Sequence, residues 1–158
     1  MSRSAVIRSA GSAIDVRPVE LSDLDAIVRI DENLAGQTRK EYWLQRLEVA
    51  ALRPPWMSLV AETDGRVVAF LLGWVGESEF GIGQRTAWVD LVGVDPPYRG
   101  RGVAQTLLQR FVESGRELRA IEKVATLIDL AQSDVREFFT RVGFHHGPMV
   151  QMERSIQP

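Results

Sequence analysis

The stretch Val94-Asp95-Pro96-Pro97-Tyr98-Arg99-Gly100-Arg101-Gly102-Val103-Ala104 constrains this chain more than any other, because an apolar run there meets a glycine- and arginine-rich turn that opens an amphipathic helix. Behind the turn, Val103, Leu107, Leu108, Phe111 and Val112 recur at helical spacing, which predicts a helix with one face on a core. The first N–H groups of such a helix have no intrahelical partner, and its macrodipole adds positive character, so the turn reads as a cradle for a pyrophosphate. Glycine lets the backbone come close to such a ligand.

The rest of the chain alternates strand and helix signals around this unit. Ile14, Val16 and Pro18 predict a short first strand after a loose N-terminus, and Ser22 with Asp25 resembles a cap before the Leu24, Ile27, Val28 stripe. Thr38 and Glu41 form a capping box ahead of Trp43, Leu44, Leu47 and Ala51, and Pro54-Pro55 ends that helix. Met57 to Glu62, a turn at Thr63-Asp64-Gly65, and Val67 to Val75 read as a hairpin. Gly76 to Gly83 reads as a loop, with Gly81-Ile82-Gly83 placed before a strand and therefore a hairpin loop. Arg85 to Val94 is the strand that feeds the cradle, and Lys123 to Asp129 is a further strand. Ser133 or Asp134 caps a helix with Val135, Phe138, Phe139 and Val142 on one face, closed by Gly143, and His145 to Met152 reads as a final strand. The expected order is β-α-α-β-β-β-α-β-α-β, a mixed α/β domain over residues 14–158 preceded by a flexible segment, 1–13.

Bulk properties narrow the function classes. The 158 residues carry a net charge of −2 and no basic block, which argues against a general grip on nucleic acid. There is no cysteine, so disulfides, thiolate nucleophiles and Cys-based zinc sites are excluded. No signal-peptide core and no run of 18 apolar residues is present, which predicts a cytoplasmic protein without a membrane partner. His145 and His146 lack a third ligand nearby, so no metal is expected.

The element order, with Arg99-x-x-Gly102-x-Ala104 after a strand ending at Val94, resembles the GNAT superfamily of acyl-CoA-dependent N-acyltransferases, whose pyrophosphate loop is written Q/R-x-x-G-x-G/A. A second landmark, Phe138, Phe139, Gly143 and Phe144, looks like the late helix and glycine-aromatic turn of the same superfamily. The resemblance runs from Ile14 to about Arg154. It implies a mostly antiparallel central sheet in which the cradle strand and the next strand splay apart. It further implies that acetyl-CoA is the cosubstrate, its pyrophosphate on the backbone from Gly100 through Arg101, Gly102 and Val103 to Ala104, with Arg99 and Arg101 adding charge. The pantetheine arm would pair with Val92, Gly93 and Val94 in the gap of the splay, and Gly93 would ease its approach. Gln132 stands where the family often has an asparagine that touches the cofactor, and Phe139 belongs to the same cofactor-side motif.

Acetyl transfer to an amine needs a base, a polarised carbonyl and a proton for the leaving thiolate. Strict alternation puts Trp88, Asp90, Val92 and Val94 on one face of the cradle strand, and Asp90 resembles in position a glutamate proposed as base in polyamine acetyltransferases of the family. The alternative for Asp90 is a carboxylate solvated or paired with an arginine such as Arg85. Many family members carry a tyrosine as general acid where this chain has Phe139, which cannot donate a proton. Ser133 or solvent is expected to fill that role. On the acceptor side, Asp31, Glu32, Glu77 and Glu79 would attract a cationic amine flanked by Trp74 and Phe80, unless they are simply solvated loop charges. The reading that results is an N-acetyltransferase acting on a primary amine, with slight preference for a protein lysine or protein N-terminus over a small molecule, and with a homodimer allowed. A catalytically lapsed acyl-CoA sensor is the alternative that Phe139 motivates. A nucleotide-binding protein of another fold lacks its P-loop or Rossmann signature here.

Overall fold

The computed structural model describes residues 5–7, 13–77, 84–118 and 121–156. They fall into two compact units, Met1–Leu127 and Ile128–Pro158. The first unit contains strands β1 (Ala5–Ile7) and β2 (Ile14–Pro18), helices α1 (Leu24–Ala35) and α2 (Lys40–Ala51), strands β3 (Ser58–Thr63), β4 (Arg66–Gly76) and β5 (Thr86–Val94), helix α3 (Val103–Glu117) and strand β6 (Lys123–Thr126). The second contains helix α4 (Ser133–Arg141).

The six strands form one sheet in sequence order, antiparallel throughout except for the β5–β6 pair, which is parallel because α3 crosses between them. Strand β1 lies within the segment read as loose, where no strand is expected, and pairs with β2 from Ala5↔Val16 to Ile7↔Ile14. The β3–β4 hairpin turns on Asp64 and Gly65, both at positive φ, as a two-residue turn whose twist matches that of the strands.

Each face of the sheet carries its own helices. On one face Ile27, Val28 and Ile30 of α1 and Trp43 and Leu47 of α2 pack with Val60, Val67, Phe70 and Leu72. Trp43 meets the Phe70 ring edge-on at 4.9 Å. Ala50 rather than Ala51 completes the buried α2 stripe, since i, i+4 and i+7 from Trp43 share a face, and Leu44 stays 39% exposed. On the other face α3 buries Val103, Leu107, Leu108 and Phe111 against β2 to β5. Burying each such side chain stabilises the fold by roughly 1.5–3 kcal/mol, so the helix behind the cradle is firmly seated.

The expected helix caps are not the ones used. Arg39 rather than Thr38 precedes α2, and Thr38 Oγ1 donates instead to Glu32 Oε1 at 2.8 Å. Asp23, not Ser22, closes the entry to α1, its Oδ2 accepting from the Glu20 N–H at 2.8 Å. Gln132 precedes α4, so Ser133 is its first residue rather than its cap. In the second unit Phe139 is buried between Phe138 and Phe144, at 5.2 and 5.1 Å, and Gly143 takes the positive φ expected of it, +99°. The final strand expected over residues 145–152 does not form. Pro148 removes a ladder donor from its middle, and Val150 and Met152 are 81% and 88% exposed, so burial offers nothing to hold it extended.

Candidate active site

The turn between β5 and α3 is built as a donor array. Gly100 and Gly102 sit at φ +72° and +77° with open space where a side chain would stand, so glycine is needed there for backbone geometry rather than for room. The first helical bond of α3 runs from the Thr106 N–H to the Gly102 carbonyl at 2.9 Å, leaving the N–H groups of Val103, Ala104 and Gln105 without a carbonyl of the helix. Arg99 and Arg101 are exposed, and the Arg101 guanidinium lies over the Tyr98 ring at 5.4 Å. Tyr98 is thus a packing partner for one of the two cradle arginines.

Asp95 anchors this turn, and sequence reading missed it. It is 1% exposed, accepts from Asn33 Nδ2 at 3.0 Å, and has Arg66 and Arg29 of β4 and α1 at 3.8 and 4.0 Å. Its N–H donates to the Val68 carbonyl, and its own carbonyl accepts from the Tyr98 N–H, both at 2.8 Å. One buried residue therefore ties the cradle to α1 and to the sheet. The available signal was a carboxylate between Val94 and Pro96-Pro97, a place too apolar for a solvated charge.

The cradle strand departs from the strict alternation expected of it. Leu91 pairs with Leu72 and Val89 with Gly73, so Asp90 is the extra residue of a β-bulge. An inserted residue reverses the faces beyond it. Trp88 stacks on Trp74 at 5.7 Å, and Leu91 packs into the α1/α2 cluster on that same side. Asp90 also faces that side, where Arg46 Nη2 of α2 donates to its Oδ2. Val92, opposite Leu71, faces the α3 side instead, so Asp90 does not point as Val92 does. The partner of Asp90 is Arg46 and not Arg85, which pairs with Glu77 at 3.0 Å.

Pairing of β5 with β6 covers only Thr86–Val89, and Thr126 Oγ1 donates to the Val89 carbonyl at 2.9 Å where it ends. Among the described residues, Asp90 to Val94 have no register partner in β6, which is the splay that the fold predicts. Gly93 has a reason of its own. A Cβ there would stand 2.5 Å from the Phe70 ring and 3.2 Å from Leu34, so its small size serves packing of the α1 face.

The acidic groups expected at the acceptor side are committed to other partners. Arg39 forks onto Asp31, with Nε–Oδ2 at 2.9 Å and Nη2–Oδ1 at 2.5 Å, and it holds that carboxyl below its ordinary pKa against the opposing effect of burial. Glu32 accepts from Thr38, and Glu77 is paired with Arg85. Glu79, Phe80 and the Gly81-Ile82-Gly83 run lie outside the described residues. In the second unit Gln132 and Ser133 are exposed at the start of α4, and the Gln132 carbonyl accepts the first helical bond, from Arg136 at 3.1 Å.

A strand bulged at a carboxylate thus runs into a glycine-shaped donor array at a helix mouth. Residues 24–144 match the acetyltransferase (GNAT) family. The chain belongs to that family. Solved structures with the same fold include aminoglycoside N-acetyltransferase AAC(6')-Iy in complex with CoA, at 18% identity over 96% of this chain and 100% of that one, with a TM-score of 0.78. They also include ribosomal-protein-alanine N-acetyltransferase from Brucella melitensis biovar Abortus 2308, at 19% identity over 90% and 99% of the chains, with a TM-score of 0.70. An aminoglycoside acetyltransferase from an uncultured soil metagenomic sample, in complex with sisomicin, matches at 14% identity over 91% and 97%, with a TM-score of 0.67. For this GNAT chain the likenesses establish the fold, and none of its described helices is long and apolar enough to cross a membrane.

Proposed function

We propose that the protein transfers an acetyl group from acetyl-CoA to a primary amine. The observation that carries this reading is the continuous unit of bulged strand, glycine turn and helix mouth, with Asp90 at one end and the free N–H groups of Val103 to Gln105 at the other. Those donors, with Arg99 and Arg101 beside them, suit the charge of a pyrophosphate. The unpartnered stretch of β5 from Asp90 to Val94 suits the amides of a pantetheine arm, which can complete its backbone hydrogen bonds.

An amine with a pKa near ~10.4 is almost wholly protonated at neutral pH, so attack on the thioester requires a base. Asp90 takes that role. Its place on a bulge turns it out of the strand ladder toward α2, and its side chain is 35% exposed, within reach of a solute or of a bridging water. The proton for the leaving thiolate comes from Ser133 or from solvent, and Ser133→Ala separates the two. Retained turnover with retained cofactor binding assigns it to solvent.

The acceptor, with slight preference, is a protein lysine or N-terminus ahead of a small-molecule amine. Two observations favour a second reading, an acyl-CoA sensor that has lost turnover. Phe139 is held in an aromatic cluster, and Asp90 is already paired with Arg46. Calorimetric titration with acetyl-CoA, beside thiol release with a panel of amines and proteins, decides between them. Turnover abolished by Asp90→Asn supports transfer, whereas tight binding with no turnover on any acceptor supports the sensor.

A further inference from the structure

Two guanidinium groups converge on the β5 bulge. Arg46 Nη2 donates to Asp90 Oδ2, and both ends of the pair stay accessible, at 33% and 35% exposure. Arg53, two residues beyond the end of α2, donates from Nη1 to the Gly73 carbonyl at 3.1 Å, the β4 residue opposite Val89 where the register slips. Burial first, and then the charge of Arg46, hold the Arg53 guanidinium below its ordinary pKa, so the two cations act on each other. Among the described residues, the acidic groups expected on the acceptor side are engaged elsewhere: Asp31 with Arg39, Glu32 with Thr38, Glu77 with Arg85. The bulge thus holds, among the described residues, two cations against one carboxylate, and that carboxylate is the base of the proposed reaction.

This arrangement discriminates among amines. A polycationic acceptor meets like charge from Arg46 and Arg53. A simple amine must draw Asp90 away from Arg46 and leave the guanidinium without its anion. An amine with a carboxylate of its own exchanges one anion for another, because the planar fork of Arg46 donates to its two oxygens and Asp90 is freed for the ammonium group.

We propose that the acceptor is an amine bearing its own carboxylate, which Arg46 binds in place of Asp90. This rests on the acetyl-transfer reading above. Asp90 then takes one proton from the ammonium nitrogen, whose lone pair attacks the thioester carbonyl carbon. The N–C bond forms and the C–S bond breaks; the second amine proton passes to solvent as the thiolate takes one up, and Asp90 returns its proton to water. A free amino acid and a peptide with an acidic residue beside its amine share this chemistry.

Thiol release from acetyl-CoA by the full chain tests the proposal with matched acceptors: lysine against cadaverine, which lacks only the carboxylate, and two lysine peptides that differ by Glu or Lys at the neighbouring position. The expected result is a kcat/KM at least about 10-fold higher for the carboxylate-bearing member of one pair, the size of one charge-assisted hydrogen bond. Whichever pair shows it names the source, free amino acid or acidic peptide. Arg46→Ala is expected to flatten the preference, and Arg46→Lys to restore part of it, with thermal melts showing that both variants fold. Equal rates within both pairs, or a preference unchanged in Arg46→Ala, overturn this proposal alone. Absence of thiol release with every amine overturns the transfer reading and this proposal with it.

Discussion

Asp90 in the middle of β5 and Asp95 just past its end lie five residues apart, yet the fold treats them as opposites. Asp90 stands on a bulge, 35% exposed on its side chain, with one half-exposed arginine as its partner. Asp95 is 1% exposed, bonded to Asn33, with two arginines near and both backbone groups engaged. The first can exchange its partner for a ligand, and the second cannot. A carboxylate that reacts must be reachable, while one that positions a loop must be closed in, and the bulge provides the first as the chain's dive beneath α1 provides the second.

The largest effect should come from the reactive member. Asp90→Asn is expected to lower kcat about 10²- to 10⁴-fold, the usual range for a general base, while its thermal midpoint stays near that of the parent chain. A loss of activity accompanied by unfolding would erase the contrast with Asp95. For the buried member the signs reverse. Asp95→Ala should cost about 3 kcal/mol in urea unfolding, because it strands Asn33 and two arginines around an uncompensated space. In the folded fraction, KM for acetyl-CoA should rise more than kcat falls.

Gly102→Ala sharpens the same contrast from the cradle side. Forcing a side chain to φ +77° costs about 1–2 kcal/mol, and the strain should raise the dissociation constant for CoA measured by calorimetry. The smallest effect concerns acid stability. Arg39 holds Asp31 below its ordinary pKa of 3.8, so the pair contributes fully above that pH and loses its contribution as pH falls through the lower folded value. Chemical denaturation between about pH 5 and pH 3 should show a shallower decline for Arg39→Gln than for the parent chain.

Legibility in the sequence followed the range of the forces involved. The α3 stripe Val103, Leu107, Leu108, Phe111 was readable because helical periodicity is local, and the β3–β4 hairpin was readable because Asp64-Gly65 carries its own turn preference. Caps were less readable. Thr38 and Glu41 have the right spacing, but α2 starts one residue later, after Arg39, and the Thr38 hydroxyl donates to Glu32 of the preceding helix. The expected strand over residues 145–152 failed because Pro148 removes a ladder donor from its middle and Val150 and Met152 gain no burial. On the candidate site, Asp90 was visible as a charge in an apolar strand, whereas its partner Arg46 lies 44 residues away and no local pattern connects them. Asp95 passed unnoticed because its burial comes from Asn33 and Arg66, each distant in sequence.

By itself the sequence determined the succession of strand, glycine turn and amphipathic helix, since backbone preferences, missing amide partners and 3.6-residue periodicity act within a few residues of one another. Only the tertiary structure decided which way Asp90 faces and what it touches. A single inserted residue in the β4–β5 register leaves Asp90 with Trp88 on the side of Arg46 and turns Val92 to the opposite face, and register is set by pairing across strands rather than by the order of residues along one.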